Sequence, residues 1–242
     1  MNHLLIAFSL LAAVCLYPGG LTLVAAAAGA RLGFLPFGGG QASGRFRGLA
    51  GPYPLVTLVA AVLVVLTLPW PGNPLAQLLP LGLASSPVGG VPVTIAGLLW
   101  LRPLAEGEGG TRPAILYPGF LGILLLTLAL ALHSPGWVGV VGARGAGAEV
   151  GRVIVGVIGL ASLPLWGGSP ARPRGGLTWA PVIALCLFLI IPGVAGWPVP
   201  VALGLWLAAS ALAGVLAGLG GRALGSGQLA GLAASAGRIW IP

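Results

Sequence analysis

The acids and bases of this chain are few enough to be taken one at a time. All eleven basic residues are arginine, and the only acids are Glu106, Glu108 and Glu149. Glu149 and Arg152 stand three residues apart, a spacing that sets both on one face of a helix. A carboxylate beside a guanidinium in a membrane span is a candidate proton relay. In the first turn of a helix the same glutamate favours the helix N-terminus, and the arginine can snorkel outward. Glu106 and Glu108 belong to the polar run EGEGGTR, which faces solvent or a partner. His3 and His133 fall at the ends of apolar runs, where a solvated interfacial imidazole is expected. Cys15 and Cys186 are each isolated in an apolar segment, which indicates packing rather than a metal knuckle or a disulfide framework.

No phosphate-binding GxxxxGK[ST] loop, HExxH or CxxC is present, and no two carboxylates are spaced for acid and base work, so a non-catalytic chain is expected, with no cofactor or metal held by it alone. The glycine-rich GVVGARGAG at 139–147 does not follow a strand in a βαβ unit and is not read as a nucleotide loop. The arginines are scattered through short loops instead of lying along a stripe with aromatics, which argues against nucleic acid as a partner. One polar stretch is richer. RLGFLPFGGGQASGRFRGLAGP mixes Arg31, Gln41, Arg45 and Arg47 with Phe34, Phe37 and Phe46, a composition suited to lying along a membrane surface and presenting guanidinium groups to phosphates or to another subunit.

The elements that must carry these residues follow from composition. The chain has 242 residues, 57% of them hydrophobic, and a mean hydropathy of +1.06, values that belong to an integral membrane protein. The apolar runs are continuous, which predicts helices and not barrel strands. On a ruler of about 20 residues per crossing, an all-α bundle of about seven spans (six to eight) is expected, at 4–29, 52–70, 78–101, 114–133, 148–166, 178–197 and 199–220. The whole of 1–242 then forms one membrane domain. With the N-terminus outside and the C-terminus cytoplasmic, nine of the eleven arginines fall in cytoplasmic loops, as the positive-inside rule requires. The first segment has no basic leader and too long an apolar run for a signal peptide, so it is read as a retained helix. Pro80, Pro87, Pro92 and Gly89-Gly90 interrupt the third span, whereas SALAGVLAGLGG at 210–221 offers small-residue faces for close helix contact. Trp70, Trp100, Trp137, Trp166, Trp179 and Trp197 lie near predicted span ends, as interfacial anchors do. The tetrapeptide LYPG occurs at 16–19 and 116–119. In the first case Pro18 predicts a kink within a helix, and in the second Pro118 sits near a helix start, so the two do not form a repeat of equivalent depth.

The loop and both chain ends resemble the family made up of the H-type membrane subunits of respiratory complex I, the NADH-quinone oxidoreductase, and their relatives in formate hydrogenlyase and energy-converting hydrogenases. The resemblance is carried by Arg31, Gln41, Arg45, Arg47, Gly51 and Pro52, an expanded form of R-x-x-x-Q-x-R-x-G-P. It extends to the proline-opened GPYPLVTLVAAVLVVL and to AGRIWIP at 236–242, which is similar to an R-[IL]-F-x-x-P ending. It implies a multi-pass subunit of a bacterial inner membrane that docks peripheral redox subunits through segment 31–51, alongside other membrane subunits. Arg31, Gln41, Arg45 and Arg47 are then contact residues at the junction, where a quinone can pass, and Glu149 with Arg152 is the candidate relay. The chain lacks the acid-rich cytoplasmic loop of that family. A small solute transporter or channel with a broken third helix is the alternative reading.

Overall fold

The first apolar run folds as two helices, α1 (Asn2–Cys15) and α2 (Gly19–Phe34). Pro18 has no N–H to offer the turn before it. Leu16 N and Tyr17 N both donate to the Ala12 carbonyl, at 2.8 and 3.1 Å, and helical geometry resumes at Gly19. The kink expected at Pro18 is thus a full interruption.

The computed structural model describes residues 2–36, 52–73, 90–101, 112–134, 136–163 and 173–223. Among these, all regular structure is helical. After α1 and α2 come α3 (Pro52–Thr67), α4 (Gly90–Trp100), α5 (Arg112–Ala131), a short α6 (Trp137–Gly142), α7 (Ala146–Ser162), α8 (Pro173–Ile190), a 3-10 turn (Pro192–Gly196) and α9 (Val199–Ala223). Residues 78–89 of the expected third span lie outside the described residues, and α4 begins at Gly90. Two stretches, His3–Phe34 and Val199–Leu219, are long and apolar enough to cross a membrane. Leu58–Thr67, Gly90–Leu99, Gly119–Ala131 and Thr178–Ile190 are apolar helical stretches of shorter length.

A helix that is hydrophobic all round must be buried on all sides or sit in lipid, and α8 takes the first course. Every side chain from Thr178 to Leu189 is buried, with α2, α3, α7 and α9 packed about it. The outer helices carry apolar residues on their far faces as well, with Leu4, Phe8, Leu126, Leu130, Val157 and Leu216 all exposed. Thr127, also exposed, returns its hydroxyl to the Ile123 carbonyl at 2.9 Å, which satisfies that group without solvent.

The closest helix pair joins the two ends of the chain. A methyl group on Gly29 would collide with the Leu207 carbonyl, one on Gly33 with the Ala211 carbonyl, and one on Gly214 with the Ala30 carbonyl. Glycine at these three positions lets the backbones touch. The contacts ascend together, 29 with 207 and 33 with 211, so α2 and α9 run parallel. Descending contacts mark antiparallel neighbours. Thr67 meets Thr94 while Gly97 lies beside Val64 across α3 and α4. Gly151 faces Leu128 while Gly159 faces Leu121 across α5 and α7, and Gly156 and Gly159 meet Ile190 and Cys186 of α8.

Helix α5 ends in a Schellman turn: Ser134 N donates to the Ala129 carbonyl at 2.9 Å, His133 N donates to that of Leu130 at 3.0 Å, and His133 has φ +50°. The expected interfacial belt of tryptophans needs correction. Trp70, Trp137 and Trp179 are buried, and only Trp197 among the four described in full is exposed. Trp137 donates its ring N–H to α4 and meets Phe188 of α8, and Trp70 meets Trp206 of α9, contacts that place both rings inside the bundle instead of at its rim.

Candidate functional site

Four of the buried polar side chains, Thr67, Asn73, Thr94 and Arg152, gather at one end of the bundle, where α3 finishes, α4 starts, and α6 bridges α5 to α7. Trp137 opens α6 and donates its Nε1–H to Thr94 Oγ1 at 3.0 Å. Thr94 Oγ1 lies 2.7 Å from Thr67 Oγ1 and 3.0 Å from the Gly90 carbonyl, while Thr67 Oγ1 is 2.8 Å from the Val64 carbonyl. A hydroxyl donates once and accepts twice. Thr94 accepts from Trp137, and the two hydroxyls share their two hydrogens among the Val64 carbonyl, the Gly90 carbonyl and each other. Three helices are joined by this chain of bonds, each worth about 1 kcal/mol net.

Trp70 and Trp206 form the neighbouring aromatic contact, edge to face with ring centroids 4.4 Å apart, and Trp137 meets Phe188 of α8 in the same manner at 6.2 Å. Each such pair adds about 0.5–1.5 kcal/mol beyond area burial. Trp70 also donates to the Val65 carbonyl at 2.7 Å, and the Asn73 amide donates to Leu66 and Leu68 carbonyls at 3.3 and 3.4 Å, so the unwound end of α3 is tied back onto itself.

Arg152 holds the other end of α6. Although it lies in the second turn of α7, its side chain runs back along the helix and is only 4% exposed. Its Nη1 donates to the Val140 carbonyl at 2.9 Å and the Ala143 carbonyl at 2.8 Å. Carbonyls at a helix C-terminus lack intrahelical donors and carry partial negative charge, so a guanidinium satisfies both needs. The outward snorkelling expected for this arginine is replaced by inward capping, because α6 folds within what reads as a plain loop.

Glu149 occupies the first turn of α7 and is exposed. Among the described residues it forms no ion pair with Arg152, and both contacts of that guanidinium are carbonyls. Arg31 lies in the last turn of α2, exposed, on the run leading into segment 31–51. Gln41, Arg45 and Arg47 lie outside the described residues, as do Glu106 and Glu108. His3 and His133 are exposed, Cys15 is exposed and Cys186 is buried. No group of three or more metal-ligating side chains occurs among the described residues.

Four buried polar atoms have no partner among the described residues: Tyr17 Oη, Thr22 Oγ1, Trp179 Nε1 and Trp206 Nε1. Thr22 precedes Gly29 by seven residues, hence shares its face of α2 and points toward α9, the helix that carries Trp206. Thr67, Thr94 and Trp137 were not singled out by sequence as a site. Their signal was present nonetheless, since a hydroxyl or indole N–H in an apolar run must find a partner. No family model, no curated protein and no solved structure matches the chain.

Proposed function

We propose that this chain is a seven-pass membrane subunit, N-terminus outside and C-terminus cytoplasmic, that anchors peripheral electron-transfer subunits of a complex I-like or hydrogenase-type assembly. The observation that supports the membrane arrangement best is the parallel seam of α2 and α9. Parallel first and last helices require an even number of chain reversals between them, and hence an odd number of passes. The apolar outer faces and the apolar stretch Thr178–Ile190 of α8 support the same reading. In this orientation the Thr94–Trp137 cluster lies at the outer side, and Arg31 leads toward the cytoplasmic docking segment. The redox assignment rests on the run Arg31, Gln41, Arg45 and Arg47 and on the RIWIP ending. By this reading the subunit is non-catalytic, and a quinone passes beside segment 31–51. The test is purification of the tagged chain from its native inner membrane in mild detergent. Co-purification of subunits containing iron–sulfur clusters or nickel is expected, and a monomer free of such partners refutes the assignment.

A second reading, a small-solute transporter, is favoured by one observation. The interruption of the first helix at residues 16–18 holds the Tyr17 hydroxyl and is followed by that of Thr22, neither with a partner among the described residues, and interrupted helices with free polar groups are how many transporters form substrate sites. Reconstitution into sealed vesicles separates the two readings, because uptake by the chain alone belongs only to the transporter.

A further inference from the structure

We propose that Arg152 and the start of α7 form a binding site for an oxyanion, a phosphate or carboxylate group, at the end of the bundle where α6 lies. The guanidinium of Arg152 carries a charge that no acid among the described residues balances. Arg152 is 4% exposed, and none of its contacts among the described residues is an acid. A guanidinium has five N–H donors, of which the two on Nη1 serve Val140 and Ala143. Those on Nε and Nη2, the pair whose hydrogens point the same way, have no protein partner among the described residues. That edge of the group matches the two oxygens of a carboxylate or phosphate.

The surroundings add positive potential. The Ala143 carbonyl that the guanidinium reaches stands three residues before Ala146, where α7 begins with no side-chain cap after a Gly145 of φ +122°. The first amides of a helix are unpaired donors at the positive end of its dipole. Within that turn Ala148 N and Glu149 N are turned inward to the Gly145 carbonyl, whereas the amides of Ala146 and Gly147 precede the first helical bond. Arg144 is exposed next to this turn. Glu149 is the only acid among the described residues and is exposed, without a contact to Arg152. A buried cation in the second turn of a helix opposes the helix dipole, and two carbonyls offset only part of that cost. An oxyanion bound to Nε, Nη2 and the first amides completes both the charge and the hydrogen bonding. The site does not depend on which complex the chain serves.

The oxyanion can be a lipid headgroup or a free solute, and the two arms of one experiment distinguish them. The full chain is extracted from vesicles of phosphatidylglycerol mixed with phosphatidylcholine and examined by native mass spectrometry, and the delipidated chain in neutral detergent is titrated with inorganic phosphate by calorimetry. The wild type is expected to retain one phosphatidylglycerol, or to bind one phosphate saturably. Arg152→Gln is expected to bind about tenfold or more weakly, and Arg152→Lys, which keeps the charge but not the paired edge, to bind more weakly than the wild type and more tightly than Arg152→Gln. Retained lipid assigns a headgroup, and phosphate binding without it assigns a free solute. Wild-type binding no stronger than that of Arg152→Gln in both arms overturns the proposal. If Arg152→Gln does not fold, wild-type melting temperatures raised neither by phosphate over chloride at matched ionic strength nor by added phosphatidylglycerol over phosphatidylcholine overturn it as well.

Discussion

Placing a methyl group on Gly33 drives its carbon into the Ala211 carbonyl of α9, a backbone atom that cannot rotate away. The helices must then separate, which loosens the neighbouring contacts of Gly29 with Leu207 and of Gly214 with Ala30. Overpacking of this kind costs about 1–3 kcal/mol. A glycine-to-alanine change in a helix also brings a propensity gain of up to about 1 kcal/mol, and Gly204 isolates that gain. It lies on α9, the helix that Gly33 packs against, is exposed, and has nothing within 4 Å of an added methyl. Relative to Gly204→Ala, Gly33→Ala is expected to be less stable by about 1–3 kcal/mol, because the propensity term cancels in the comparison. Gly33→Ala and Gly214→Ala share one separation, so the double variant should lose less than the sum of the singles. Equilibrium unfolding in mixed detergent micelles, followed by far-ultraviolet circular dichroism, supplies the numbers. Equal stabilities for Gly33→Ala and Gly204→Ala would refute the close backbone approach, and strict additivity would refute the shared separation.

In the threonine network, Thr94→Val should cost about 1–3 kcal/mol, since it strands the Trp137 N–H and leaves Thr67 only the Val64 carbonyl. Thr67→Val should cost less, because Thr94 keeps Trp137 and Gly90; the same unfolding assay ranks them. His133→Gly should stabilise the chain by up to about 1 kcal/mol, as the φ of +50° at the end of α5 favours glycine, and a fall in melting temperature would contradict the turn geometry. Cys15 should label with a membrane-permeant maleimide in the folded protein while Cys186 labels only after denaturation, a difference that mass spectrometry reads directly.

Much of the helical layout was written in apolar periodicity and in prolines. Pro18 marked the break in the first helix, and the small residues of 210–221 marked a face for close contact. Their partner, the Gly29 and Gly33 stripe of α2, was not legible, because a contact across nearly the whole chain leaves no local trace. The same holds for Trp137. Its place after Pro135 and near a span end reads as an interfacial anchor, yet α6 carries the ring inward to Thr94. Arg152 was legible as a residue of consequence through the scarcity of charge. Its partners were not, since the carbonyls of Val140 and Ala143 have no identity in sequence, and any residue could have supplied them.

The parallel seam of α2 and α9 also sets an order of events during synthesis. Gly33 leaves the ribosome roughly 180 residues before Gly214 does. At about 5–20 residues per second, α2 waits about 10–40 s with its glycine stripe uncovered. The bundle therefore closes only after α9 has been made, and a chain stopped in the 3-10 turn before α9 should leave that stripe exposed.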